Sequence, residues 1–129
     1  MTRTADDLES YLNSLDRHFE RDGDAFVVAS GLETTSIGLQ VHDSLVLVRV
    51  HIGKVPPSAE RQLPLFRRLL ELNSEDLVHA SYSLEGDEIT LDAGLRLDTL
   101  DLEEVASVLA DVDLALVRHA RPLRALAHS

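Results

Sequence analysis

Six histidines are the residues of this chain best suited to metal or proton chemistry, because an imidazole can ligate a cation or carry a proton near neutral pH. His42 stands beside Asp43 in a short connection, His51 and His79 fall on polar faces of separate strands, and His18, His119 and His128 lie on the first helix, the last helix and the tail. None is paired with another at i, i+4 on a helix, and none has the local His–carboxylate spacing of a metal motif. They read as scattered surface histidines. Among the carboxylates, Asp6-Asp7 and Glu103-Glu104 are first-turn residues that suit the positive end of a helix dipole, and Asp111 and Asp113 read as a solvated face of the last helix. There is no cysteine, which removes thiolate ligands and a Cys nucleophile. No G-x-S-x-G, Walker, G-x-G-x-x-G or EF-hand pattern occurs, and the six glycines are dispersed. The expectation is a protein that is not an enzyme and needs no cofactor.

The elements that would have to position any site are those of a small domain. The 129 residues fit a single domain, 1–129, able to bury a core without disulfides. Asp and Glu outnumber Lys and Arg by 23 to 12, giving a net charge of −11, and Lys54 is the sole lysine. Binding to nucleic acid needs cations that displace phosphate counterions. A field of this sign opposes nucleic acid and anionic membranes, and favours basic or apolar protein partners. Trp is absent, so stacking platforms for single strands are scarce. With no apolar run approaching about 18 residues and no basic-then-apolar leader, the expected location is the cytoplasm.

Periodicity supplies the elements. Leu8, Tyr11, Leu12, Leu15 and Phe19 form one helical stripe across Ala5 to Asp22, with Gly23 as a stop. The period then changes to two. Ala25 to Ala29, Thr34 to His42 and Leu45 to Ile52 read as an antiparallel meander, with Val46, Val48, Val50 and Ile52 on one face of its third strand and Leu45, Leu47, Arg49 and His51 on the other. After Pro56-Pro57, a helix is expected over roughly Glu60 to Leu72, with Pro64 confined to its first turn and Asn73 as a left-handed terminator. Leu77 to Leu84, with Val78, Ala80, Tyr82 and Leu84 sharing a face, and Glu88 to Leu97 make a hairpin around Glu85-Gly86-Asp87. Asp101 and Glu104 form a capping box, and Val105, Val108, Leu109, Val112 and Leu116 a buried stripe, for a last helix that Pro122 should end. The fold class is α+β, in the order α-β-β-β-α-β-β-α, with helices on one face of a twisted five-stranded antiparallel sheet.

Apolar residues exceed what one face of each element needs. The strand from Leu45 is apolar on both faces, and Leu63, Leu65, Phe66, Leu69, Leu70 and Leu72 spread around the second helix. Such two-sidedness fits either a central place in the core or a protein–protein surface.

This order, together with Leu69-Leu70-Glu71-Leu72-Asn73 and the run from Tyr82-Ser83-Leu84 through Gly86-Asp87-Glu88-Ile89 to Leu95-Arg96-Leu97-Asp98-Thr99-Leu100-Asp101, resembles the type III secretion chaperone-like superfamily, which includes the class I effector chaperones and the YbjN-like proteins. The resemblance implies a non-catalytic homodimer that holds a segment of another protein, such as a secreted effector. Carried over by position, it implies a dimer interface at Phe66, Leu69 and Leu70, and partner-facing residues at Leu8, Leu12, Leu15 and Leu45. The alternative is a stress-related regulatory domain that binds a small ligand or metal through polar faces carrying His79, Asp92 and Arg96.

Overall fold

Asp16 and Gly23 decide how the chain begins. In this computed structural model, which describes residues 3–32 and 35–128, helix α1 spans only Ala5–Ser14. Asp16 then takes a left-handed φ of 56°, which ends the helix. Gly23, at φ 62°, opens a two-residue turn rather than stopping a helix. Phe19–Asp22 is therefore a strand, β1, paired antiparallel with β2 (Ala25–Ala29). Phe19 continues the helical spacing of Leu8 and Leu12, yet its ring lies 6.1 Å from that of Phe26 on the neighbouring strand. Among the described residues the sheet has six strands instead of five.

The remaining strands are β3 (Ser36–His42), β4 (Leu45–Lys54), β5 (Ser81–Glu85) and β6 (Glu88–Arg96). Thr34, where the alternation of β3 starts in the sequence, lies outside the described residues. The strand order is β1-β2-β3-β4-β6-β5, with every pairing antiparallel. A register shift between His51 and Gly53 lets β4 run on to Lys54. β5 is shorter than its alternation suggests: it begins only at Ser81, and Val78 before it is 81% exposed. Asp111 accepts hydrogen bonds from the backbone N–H of His79 (2.9 Å) and Ala80 (3.1 Å), which holds that segment against the last helix instead of in the sheet. Asp111 is thus a structural acceptor, and so is Asp113, which binds Arg17 at 2.5 Å and the Gly31 N–H at 2.8 Å. Neither belongs to a merely solvated face.

Both prolines expected at helix limits lie inside helices. Helix α2 (Ala59–Glu75) is capped by Ser58, whose hydroxyl accepts from the Arg61 N–H. Pro64 falls in its second turn, where the carbonyl it leaves without a donor is that of exposed Glu60 and can be hydrated. Helix α3 (Leu102–His128) starts at Asp101, whose carboxylate accepts from the Glu104 N–H at 2.8 Å, and passes through Pro122. Its apolar stripe goes on past the proline to Leu123 and Ala127. Burying Leu123 contributes about 2 kcal/mol, and Arg124 bonds the Ile52 carbonyl and the Thr35 hydroxyl. Together these offset the roughly 3 kcal/mol that an interior proline costs.

All three helices pack on the same side of the sheet. Leu8, Leu12, Phe26, Val28, Ile37, Val46, Val50, Leu65, Leu91, Leu109 and Leu116 belong to one continuous core between the layers. α3 contacts β4, β6 and both other helices, and α2 closes the β5 side.

Candidate functional site

Among the described residues, no helix covers the opposite face of the sheet. The register places Ala25 and Val27 of β2, Ser36, Gly38 and Gln40 of β3, Leu45, Leu47, Arg49 and His51 of β4, and Thr90, Asp92 and Gly94 of β6 on that side. It forms a shallow groove of about 550 Å³ whose lining includes Val27, Gly38, Leu47, Arg49 and Asp92. Val27 (53%), Leu45 (44%) and Leu47 (45%) are exposed there. Gly38 and Gly94 add no side chains, which leaves bare backbone beside Val27 and beside Leu47. A Cβ at Gly94 would meet nothing within 4 Å.

The groove has a polar end. Arg49 is held by Asp92 (Nε to Oδ1, 2.7 Å) and by Glu85. The Thr90 hydroxyl, buried beneath them, donates to the other Asp92 oxygen at 2.9 Å. His51 Nδ1 lies 3.3 Å from Glu88. At the far side, Glu20 and Asp22 of β1 stand opposite Val27 and Ala25.

The two sheet edges differ. A two-residue hairpin closes on a hydrogen-bonded pair, here Asp22–Ala25 in one hairpin and Glu85–Glu88 in the other. Counting back by twos, Phe19 and Arg21 of β1, and Tyr82 and Leu84 of β5, turn their backbone groups outward. On β5 the Asn73 side chain meets those of Tyr82: its Oδ1 accepts from the Tyr82 N–H at 2.6 Å, and its Nδ2 donates to the Tyr82 carbonyl at 3.1 Å. Asn73 is thus a stand-in strand at that edge, not a left-handed helix terminator; the helix ends at Asp76 with right-handed φ of −115°.

The residues singled out by resemblance fall into three settings. Leu8 and Leu12 are wholly buried under α1, offering no surface to a partner while that helix stays packed. Leu15 is partly buried at the end of α1, and Leu45 lies on the uncovered face. On α2, Leu69 is buried, Phe66 is half-buried and Leu70 is 70% exposed. With Leu63, 71% exposed, Phe66 and Leu70 make a second apolar stripe, on the side away from Leu65, Leu69 and Leu72. His79, Asp92 and Arg96 are not brought together. Asp92 binds Arg49, Arg96 pairs with Asp98 at 3.5 Å, and His79 borders a separate hollow with Glu103 and Glu104.

Sequence reading missed one buried polar cluster. His119, 5% exposed, is no surface histidine. Its Nδ1 lies 2.8 Å from the Tyr82 hydroxyl and its Nε2 2.8 Å from Asp76. The His119 hydrogen bond holds the Asp76 carboxyl below the usual carboxylate range, while burial pushes the Tyr82 phenol up. The cluster ties the end of α2 and the edge strand β5 to α3. The available signal was the stripe of α3, which places His119 in line with Val112, Leu116 and Leu123. Among the described residues no group of three or more His, Asp or Glu is placed to hold a metal ion, and no helix is long and apolar enough to cross a membrane.

A family model, CesT_Tir_1, matches residues 1–129. The chain is similar to YbjN from E. coli, with 18% identity, a TM-score of 0.62, and coverage of 90% of this chain and 92% of that chain. It is similar to a chain of the heterodimeric ExoU–SpcU complex from the type III secretion system of Pseudomonas aeruginosa, at 15% identity, TM-score 0.64, and coverage of 90% and 96%. It is also similar to the Yersinia pestis type III secretion chaperone SycH in complex with a stable fragment of YscM2, at 18% identity, TM-score 0.60, and coverage of 93% and 99%. No curated protein matches it.

Proposed function

The chain belongs to the CesT_Tir_1 family, within the type III secretion chaperone-like and YbjN-like superfamily, and on that premise we propose that it is a non-catalytic, single-domain chaperone or adaptor that holds a segment of a partner protein as a homodimer. The observation that carries this reading is a broad sheet face left without helices among the described residues, where Val27 and Leu47 stand exposed in a groove and Leu45 is exposed on the same face. SycH in complex with a YscM2 fragment and SpcU in complex with ExoU support a partner-holding role for this architecture. Leu45 and Leu15 are the partner-facing residues of this reading. Leu8 and Leu12 act beneath them by fixing α1. The second stripe of α2, with Phe66 and Leu70 above buried Leu69, is the surface proposed for subunit pairing.

The test is co-purification from the native cell, with light scattering for mass. One protein should accompany the tagged chain in fixed ratio to a dimer. Leu45→Asp should release it with the circular dichroism unchanged, and Leu70→Asp should give a monomer. A wild-type chain that elutes as a partner-free monomer would sink the reading.

A further inference from the structure

From the charges around the groove we infer that its occupant is an extended protein segment with alternating apolar residues and a lysine or arginine at each end; this rests on the partner-holding reading above and specifies its chemistry. The groove's apolar side chains are Val27 and Leu47, on either side of the bare backbone of Gly38 and next to Gln40 and Arg49, while Gly94 lies beyond Leu47 on β6. Both ends are acidic. Glu20 and Asp22 border it on β1, while Glu85, Glu88 and Asp92 border it on β5 and β6. The guanidiniums on this face are already engaged, Arg49 by Asp92 and Glu85, and Arg96 by Asp98. On β1 an arriving cation meets Glu20 and Asp22, which these guanidiniums do not engage. On β5 and β6 it meets three carboxylates, Glu85, Glu88 and Asp92, that outnumber the two cations beside them, Arg49 and Lys54, so both rims keep an excess of negative charge.

The same charges argue against a second copy of this chain as occupant. Two such faces packed together would set like-charged rims against each other, in a chain that carries −11 overall. An extended segment suits the shape better than a helix. The groove is shallow, and a strand laid across it puts every second side chain down beside Val27 and Leu47. Its flanking cations would then fall on the acidic rims.

The experiment uses the full chain and three fluorescein-labelled ten-residue probes: valine alternating with threonine between terminal lysines, the same core between glutamates, and a lysine-ended probe with serine replacing valine. Fluorescence anisotropy should show saturable binding of the first probe, at least tenfold tighter than either other, and weakening as salt rises. The Leu47→Asp variant should lose it tenfold or more. Combining Asp22→Lys with Glu85→Lys should reverse the order of the lysine and glutamate probes. Gly94→Phe, which fills open space, should also block the groove and leaves the fold a second check. Equal binding of the lysine and glutamate probes, abolished by Leu47→Asp, would overturn the charge inference while leaving the partner-holding reading intact. Absence of probe binding, with Leu47→Asp splitting a dimer into monomers, would make the face a contact between copies and overturn it too. A natural partner that co-purifies undiminished with Leu47→Asp would move the partner site elsewhere, overturning this inference and not the reading beneath it.

Discussion

Strand β4 is apolar on both of its faces, yet the two faces meet different surroundings. Val46, Val48, Val50 and Ile52 are 3% exposed or less beneath the helices, whereas Leu45 and Leu47, one residue away along the same backbone, are 44% and 45% exposed. Leucine is no less apolar than valine. What separates the faces is the presence of a complementary helix stripe: Leu8 and Leu12 of α1, Leu65 and Leu69 of α2, and Leu109 and Leu116 of α3 all point to one side. Burial is a property of paired surfaces, and a surface without its pair is where another molecule can be accommodated.

The largest test of that contrast sets Leu12→Asp against Leu47→Asp. The first places a carboxylate in a fully buried position and should cost about 4 kcal/mol or more, enough to unfold much of a domain of ordinary stability. The second changes a residue on the uncovered face and should cost about 1 kcal/mol or less. Urea denaturation followed by circular dichroism measures both. A well-folded Leu12→Asp protein would show that α1 lifts off easily and that the covered face is also available to partners. Next come the polar ties of the covered side. Tyr82→Phe leaves His119 Nδ1 buried without its partner, for a loss of about 1–3 kcal/mol. Asn73→Ala frees the β5 edge at Tyr82; it should cost about 1–2 kcal/mol and promote concentration-dependent association, visible by light scattering.

Asp76 gives the contrast a pH dependence. Its folded-state pKa is depressed below the ordinary 3.8, first by the His119 hydrogen bond. The stability it contributes is therefore fully present above about the unfolded value and is lost as pH falls through the lower folded one. The stability gap between wild type and Asp76→Asn should hold at pH 5 and above, and narrow below pH 4 in urea titrations. A gap unchanged down to pH 2 would mean that the carboxylate is not held by this contact.

Much of this layout was legible in the residues, and the failures have physical causes. Period two placed β2 correctly and assigned both faces of β4, because alternation is local and survives any tertiary context. The helical stripe of α1 ran on falsely to Phe19, since a residue at the right spacing is apolar whether it completes a helix or starts a strand; only the left-handed Asp16 separates the cases. Pro64 and Pro122 were overvalued as breakers, because solvent can satisfy the first orphaned carbonyl and packing compensates the second. Asn73, Asp111 and Asp113 bind backbone groups far along the chain, and no sequence window contains both partners. The uncovered face was visible as an apolar surplus around Leu45 and Leu47, but whether a helix lay over it depended on where α1, α2 and α3 would all pack.

The smallest effect concerns the turn that decides which side of β4 is covered. The hairpins at Gly23, Asp43 and Gly86 each put a left-handed residue first in a two-residue turn, with φ of 62°, 54° and 59°. A slip of one residue at the β3–β4 turn would send Leu45 and Leu47 to the helices and Val46 and Val48 to solvent. Asp43 is the one of the three with a side chain to strain that conformation. Its ion pair with His42 is exposed, at 3.5 Å, and offers little in return. Removing the left-handed strain should gain slightly more than glycine's added chain entropy loses, so Asp43→Gly should stabilise by about 0.5 kcal/mol. Gly86→Ala, at nearly the same φ, should destabilise by about 1 kcal/mol. Opposite signs in urea denaturation would establish that turn conformation holds the register. A loss of stability in Asp43→Gly would shift that role to the contacts of β4 with β6, the most extensively paired strands of the sheet.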